Sequence, residues 1–309
     1  MNIRPIDLPA LRIQLADHGR KVTPEGIREG LRRSGSGKIS DDWVEYTVRE
    51  NRQETDRLSA ADLYFVSGDM ADLASSAADS MPDFTLAHED VPSRCGFIYF
   101  ESPLLFPGNP DGVQTWAASW GPLAPVYGGI PGIWITWFSG KSKTFTSAIE
   151  AVNPFLATAM ASVPRLLPLS NAQVPFGDDG AYGEAREGAP YNSARRGWLR
   201  ILKATWLLME QPIASVEDAR YDRPARRRLQ KQGYEPPRVR VITLRRAKSS
   251  ADHGESDREY HHQWIVRGHW RQQYYPSRGV HRPVWIAPHI KGPEGAPLIG
   301  GEKVYAWTR

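Results

Sequence analysis

Over residues 1–40, apolar positions recur at helical spacing. Leu11, Ile13 and Leu15 predict a helix over Leu8–Ala16 that His18-Gly19 ends. Thr23-Pro24-Glu25 opens a second helix: the Thr23 hydroxyl suits an N-cap, and Pro24 stands where its missing N–H costs nothing. Ile27 and Leu31 give that helix one apolar side, with Arg28, Arg32 and Arg33 outside and a Ser34-Gly35-Ser36-Gly37-Lys38 linker after it. From Ser40 to Ala78 the pattern predicts a packed helical pair. Trp43, Val44, Tyr46 and Val48 supply its buried side, and Asp41, Asp42, Glu45, Glu50, Glu54 and Asp56 its solvated acidic side.

Between residues 95 and 139 the segments CGFIYFES, TWAASW and GIWITWFS are rich in aromatic and β-branched residues and separated by Pro and Gly, which predicts three antiparallel strands. Thr146–Leu167 reads as helix interrupted at Pro154 and Pro164, and the Gly-rich, acidic stretch after it reads as a linker or mobile loop. A helix from Ser193 to Gln211 carries Trp198, Ile201, Leu202, Thr205, Leu208 and Met209 on one side and Arg196, Arg200 and Lys203 on another. A second basic helix runs from Asp222, its cap, to Gln232, with Arg223, Arg227 and Lys231 aligned at intervals of four. The remainder predicts a β-meander: 238–246, a charged loop 247–258, a long strand 259–275, then 282–288 and 303–307. The fold class expected is therefore α+β. A helical, acidic N-terminal part with a small antiparallel sheet (1–167) is joined by a linker (168–192) to a basic C-terminal part of two helices and an antiparallel β-meander (193–309).

Composition changes this picture little. The 309 residues are 40% hydrophobic and 24% charged, which excludes wholesale disorder, collagen and coiled coil. A single cysteine, Cys95, forms no internal disulfide or thiolate cluster, so a reducing cytoplasm is expected. No run of eighteen apolar residues and no signal-peptide core in the first thirty predict neither a membrane partner nor export. Charge changes more. The net +4 conceals three zones: eight basic against four acidic residues in 1–40, eight against twenty in 41–194, and twenty-three against eleven in 195–309. Such segregation attracts a polyanion. The bland alternative is a solvated basic face, or a charge match between the acidic middle and the basic end.

The densest chemistry lies in Tyr260–Arg271. On a strand, His261, Gln263, Arg267, His269 and Arg271 share one face, and His262, Trp264, Val266 and Trp270 the other, with Gly268 permitting a close approach. Paired imidazoles with arginines suit metal-independent phosphodiester chemistry, one ring taking a proton and the other returning one. His261 and His269 lie about 26 Å apart on a straight strand, so His269 with His281 or His289 is the tighter pairing. The alternative is a face that holds phosphate without reacting. Trp270, Tyr274, Tyr275 and Trp285 serve as base-stacking platforms or as core. No metal and no cofactor are expected, although a mixed site from Asp252, His253 and Asp257 stays open. Gly140-Lys141-Ser142 fails as a phosphate loop because Ile135 replaces the required glycine, and Glu101 with Asp111 lacks the companion lysine motif of metal nucleases.

Two stretches carry resemblances. QLADHGRKVTPEGIREGLRRSGSGKIS resembles the N-terminal helix-turn-helix of plasmid-type DNA-binding proteins, which implies DNA contact by residues 1–40. RPARRRLQKQGYEPPRVRVITLRR with HHQWIVRGHWRQQYYPSRGVHRPVWIAPHIKGPEGAPL resembles the C-terminal block of a group of proteins from actinobacteria and their phages. No activity attaches to that group, so the likeness implies a mobile-element or phage setting and transfers no role. The expectation is a nucleic-acid-binding protein, for DNA or RNA, with nuclease-type processing by His269, Arg267, Arg271, His261 and His281. Arg196, Arg200, Lys203, Arg223, Arg227, Lys231 and Trp270 would hold the nucleic acid. Three rivals stand beside it: a non-enzymatic DNA-binding regulator, a toxin or antiviral-defence module meeting a protein at the basic C-terminal face, and an enzyme on a phosphorylated small molecule.

Overall fold

The structure, a computed structural model, describes residues 2–33, 40–104, 114–123, 129–140, 165–177, 192–245, 263–293 and 297. A 3-10 turn (Pro5–Asp7) leads into α1 (Leu8–Arg20), α2 (Pro24–Arg33) and α3 (Asp41–Ser59). There follow β1 (Asp62–Val66), α4 (Gly68–Asp79), a 3-10 turn (His88–Asp90), β2 (Gly96–Leu104), β3 (Thr115–Pro122), β4 (Gly132–Gly140) and β5 (Leu166–Pro175). The C-terminal third gives α5 (Asn192–Met209), β6 (Ala214–Asp218), α6 (Arg223–Lys231) and β7 (Val239–Leu244), then β8 (Trp264–Val266), β9 (His269–Tyr275), β10 (Val280–Ile286) and β11 (His289–Lys291). Local signals hold where they are chemical. The Thr23 hydroxyl accepts the Gly26 N–H at 3.1 Å, and the Asp222 carboxylate accepts the Ala225 N–H at 2.8 Å.

The fold is α+β, but not a helical N-terminal part with a small sheet. Seven strands form one mixed sheet in the order β5-β4-β3-β2-β1-β7-β6. β1 runs parallel to both β2 and β7, and every other pairing is antiparallel. Two corrections follow. The segment Ser40–Ala78 is not a helical pair, because β1 lies inside it as the Leu63-Tyr64-Phe65-Val66 run. The C-terminal helices and strands do not form a separate meander either, since β7 pairs with β1 and β6 closes the sheet edge. β5 also occupies residues that read as linker. The predicted helix over 146–167 and strand over 303–307 lie, all but the first residues of β5, outside the described residues.

Burial on both faces explains the sheet. Tyr64, Val66, Ile98, Phe100, Ala118, Trp120, Ile135 and Trp137 face one core with α4 and α5, whose Met70, Ala74, Trp198, Leu202 and Trp206 are equally buried. Leu63, Phe65, Phe97, Tyr99, Ala117 and Phe138 face a second core with Leu8, Leu11 and Leu15 of α1 and Leu58 of α3. Strands buried on both faces read as continuous apolar runs, without the alternation of a half-exposed strand.

One polar knot lies under α3. The Glu54 carboxylate accepts hydrogen bonds from Ser119 Oγ, Thr136 Oγ1 (2.8 Å) and Arg57 Nε (3.1 Å), and Arg57 lies 5.2 Å over the Trp134 ring. Arg57 and Glu54 side chains are 7% and 13% exposed, so the charges satisfy each other away from water. Glu54→Ala leaves the Arg57 guanidinium without its partner and is expected to cost about 3–5 kcal/mol. Urea unfolding measures this, and a midpoint equal to that of the parent chain would refute it.

Candidate functional site

The cations of residues 195–309 divide into two populations. Three of them bind acids of the middle zone: Arg200 to Asp83 at 2.6 Å, Arg240 to Asp62 at 3.0 Å, and Arg282 to the 6%-exposed Asp90. Arg240 also donates to the Tyr64 hydroxyl at 2.7 Å, and its guanidinium lies 5.1 Å over that ring. To this extent the basic end neutralises the acidic middle.

The expected basic stripe on α5 belongs to this first population. Trp198 to Leu208 is buried, because α5 lies between the sheet and the segment 78–84. Arg200 Nε donates to the Ala78 carbonyl at 3.2 Å and its Nη2 to that of Met81; Lys203 Nζ donates to Phe84 O at 2.8 Å and lies 4.2 Å over that ring. These two cations fasten chain to chain. Only Arg196 of the three is exposed.

The second population has few acid partners. On α6, Ala225 and Leu229 are buried and Arg223, Arg226, Arg227, Arg228 and Lys231 are exposed. Arg223, Arg227 and Lys231 make no salt bridge among the described residues and stand opposite the buried pair. The helix is pinned at both ends. Asp222 caps its start, and at its finish the Gly233 N–H bonds Gln230 O (3.0 Å) and the Tyr234 N–H bonds Leu229 O (3.0 Å), the Schellman pattern, with Gly233 at φ +79°. Tyr234 is 39% exposed beside it. Arg228 lies 4.0 Å from Asp7, and Tyr221, just before the helix, packs on the α1 core; burial pushes its phenol up to about 12.

The other acid-free region is the hairpin of β8–β11. Trp264 faces Lys291 and Val266 faces His289; beyond a break, His269 faces Ile286 and Tyr275 faces Val280 in the same register. It is one long hairpin interrupted at Arg267-Gly268 opposite Ala287-Pro288. A Cβ on Gly268 would fall 2.4 Å from Trp285 Cζ2, so glycine is what lets the ribbon cross that ring. Trp270 is not presented to solvent for stacking: its Nε1 donates to Ala77 O at 2.7 Å, and its ring meets Trp285 edge-on at 5.3 Å. With the Arg282–Asp90 pair these contacts dock the ribbon on the α4–α5 side.

The described imidazoles of the ribbon, His269, His281 and His289, do not converge. His281 faces Tyr274, whereas His269 faces Ile286, five positions along β10 and about 16 Å away, on the opposite face of the ribbon. His269 Nδ1 sits 3.1 Å from Arg267 O, and Arg271 donates to Gln273 Oε1 at 2.7 Å. His289 pairs with Val266 in the next strand pair. His261 lies outside the described residues, as do Asp111, Lys141, Ser142, Asp252, His253 and Asp257. Among the described residues no group of three His, Cys, Asp or Glu side chains could hold a metal ion, and no helix is long and apolar enough to cross a membrane.

Of the N-terminal helices, α1 is packed on the core and α2 lies outside it. α1 buries Leu8, Leu11, Leu15 and Ala16 against the sheet, and on α2 Arg28 pairs with Asp41 at 2.8 Å and Arg32 with Glu29. No protein-family profile, no curated protein and no solved structure matches the chain.

A titratable group that the sequence did not single out stands beside the docked ribbon. Glu210 is exposed, yet partial loss of its hydration, with Asp90 nearby, lifts its carboxyl above the ordinary carboxylate range against the pull of Arg282 and Arg278. A raised folded-state value means that Glu210 supports folding when protonated and loses that contribution as pH rises through it. Glu210→Gln is therefore expected to raise the unfolding midpoint at neutral pH, with the gap closing as pH falls below the carboxylate range. A gap of constant size across that titration would refute the assignment.

Proposed function

We propose that this chain is a nucleic-acid-binding protein whose contact surface is α6. The observation that carries the reading is the row Arg223, Arg227 and Lys231, unpaired and outward on a helix fixed at both ends. Successive cations rise by about 6 Å, so they follow one backbone of a polynucleotide in sequence.

The Asp222 cap places one carboxylate at the end where the helix dipole favours negative charge, and Arg223 and Arg226 in the first turn oppose it. Like charges at i,i+4 cost about 0.2–0.5 kcal/mol per pair. A bound phosphate backbone reverses the sign of both terms. Exposed Tyr234 at the end of the row offers a ring to a base. The resemblance of RPARRRLQKQGYEPPRVRVITLRR to phage-related proteins supports the same setting, in the cytoplasm where polynucleotides are met. The separated imidazoles favour holding over cutting.

The test is binding to labelled single- and double-stranded DNA and RNA over a salt series. The logarithm of affinity is expected to fall steeply with that of salt, and Arg223→Ala/Arg227→Ala/Lys231→Ala should flatten the slope by about 1 per cation removed. Binding indifferent to salt, or a triple variant with the parent slope, would overturn the reading. A complex with an acidic protein that survives nuclease treatment would replace it with the protein-interaction alternative.

A further inference from the structure

The hairpin of residues 264–291 remains after α6 is assigned. From Gln263 to Pro293 the chain carries Arg267, Arg271, Arg278, Arg282 and Lys291 and not one Asp or Glu. Only Arg282 of these is spent on an acid; the other four are exposed and make no salt bridge among the described residues. Eleven steps from Trp264 to Tyr275 give a ribbon about 36 Å long at ~3.3 Å per residue, close to one helical turn of duplex. On its β9 strand His269, Arg271 and Tyr275 are exposed on the face away from the docked Trp270, and Gln273 on that face stands opposite the Arg282 that Asp90 holds. Arg and Gln are the side chains that read guanine and adenine edges, and a two-stranded ribbon is an element that a major groove admits.

Its placement relative to α6 decides what the two do together. The ribbon is docked through Trp270, Trp285 and Arg282 on the face of the sheet covered by α4 and α5. α6 sits toward the other face, with Arg228 beside Asp7 and Tyr221 in the α1 core. The seven-stranded sheet lies between them. A duplex is stiff over about 150 base pairs, so one short duplex does not lie along both.

We infer that the hairpin is a second nucleic-acid-binding element and that a single copy of the chain holds two separate nucleic-acid segments, one on each face of the sheet. The inference rests on the assignment of α6 to the first segment. The occupant is nucleic acid because an acid-free ribbon of one-turn length, with Arg267, Arg271, Arg278 and Lys291 exposed along it, matches a phosphate-lined groove.

The experiment is a bridging assay with full-length protein. One duplex of two helical turns, about 20 base pairs, is fixed to beads and a second, labelled duplex of the same length is offered in solution. The parent chain is expected to retain the labelled duplex, and excess free duplex to abolish retention. Arg267→Ala/Arg271→Ala/Lys291→Ala should lower retention at least about tenfold while binding of the bead duplex through α6 stays within about twofold. These side chains support no ion pair, so an unchanged unfolding temperature confirms that the variant is folded. Bridging that survives in this variant, as self-association would produce, overturns the inference and leaves the α6 reading intact; so does a parent chain that takes up one duplex per copy. A parent chain that holds no duplex at all overturns both.

Discussion

The structure depends on the burial of β1 on every side. It is flanked by parallel strands, and both its faces are roofed by helices, so Leu63 and Phe65 enter one core and Tyr64 and Val66 the other. A strand in this position cannot leave a backbone edge or an apolar face open to water. It requires β2 on one side, reached through α4, and β7 on the other, which arrives from more than 170 residues downstream; Tyr64 lies opposite Arg240 in the register. The basic third of the chain is thereby drawn into the same sheet as the acidic middle.

That requirement sorts the charges. Cations on elements pulled against the sheet meet acids or carbonyls there: Arg240 at the exposed Asp62, Arg282 at the buried Asp90, Arg200 and Lys203 at the segment after α4. Elements that lie outside the sheet keep their cations free. α6 touches the body through Ala225, Leu229 and the Arg228–Asp7 pair, and the hairpin through its tryptophans and Arg282, so Arg223, Arg227 and Lys231 of the one and Arg267, Arg271, Arg278 and Lys291 of the other stay exposed without a salt bridge among the described residues. The positive field of the molecule is narrower than its sequence suggests, and it is split between two places.

Legibility followed the range of the interaction that fixes each element. The extent of α6 and the alignment of Arg223, Arg227 and Lys231 were readable because its cap and its terminating glycine act within a few residues. The three strands of 95–139 were readable from β-branched and aromatic content between turns. β1 was not, since an apolar run of four residues lacks the alternation that separates strand from helix. The stripe on α5 was a true helical alignment with the wrong environment: spacing says which side chains share a face, and not what covers that face. Of the long strand expected over 259–275, the described part is strand broken at Arg267-Gly268, where the crowding comes from Trp285 on the returning strand. The Glu54 knot left no local trace, because Ser119 and Thr136 come to it from strands 65 and 82 residues away.

By itself the amino-acid sequence determined the helix caps, the two-residue and four-residue periodicities, the segregation of charge and the acid-free character of 263–293, all of which depend on near neighbours or on composition. Only the tertiary structure decided which cations are consumed, which imidazoles meet and which side of the sheet each basic element occupies. Those are questions of partners brought together by closing long loops, and a charge is neutral in effect or available to a ligand according to what the fold sets within a few ångströms of it.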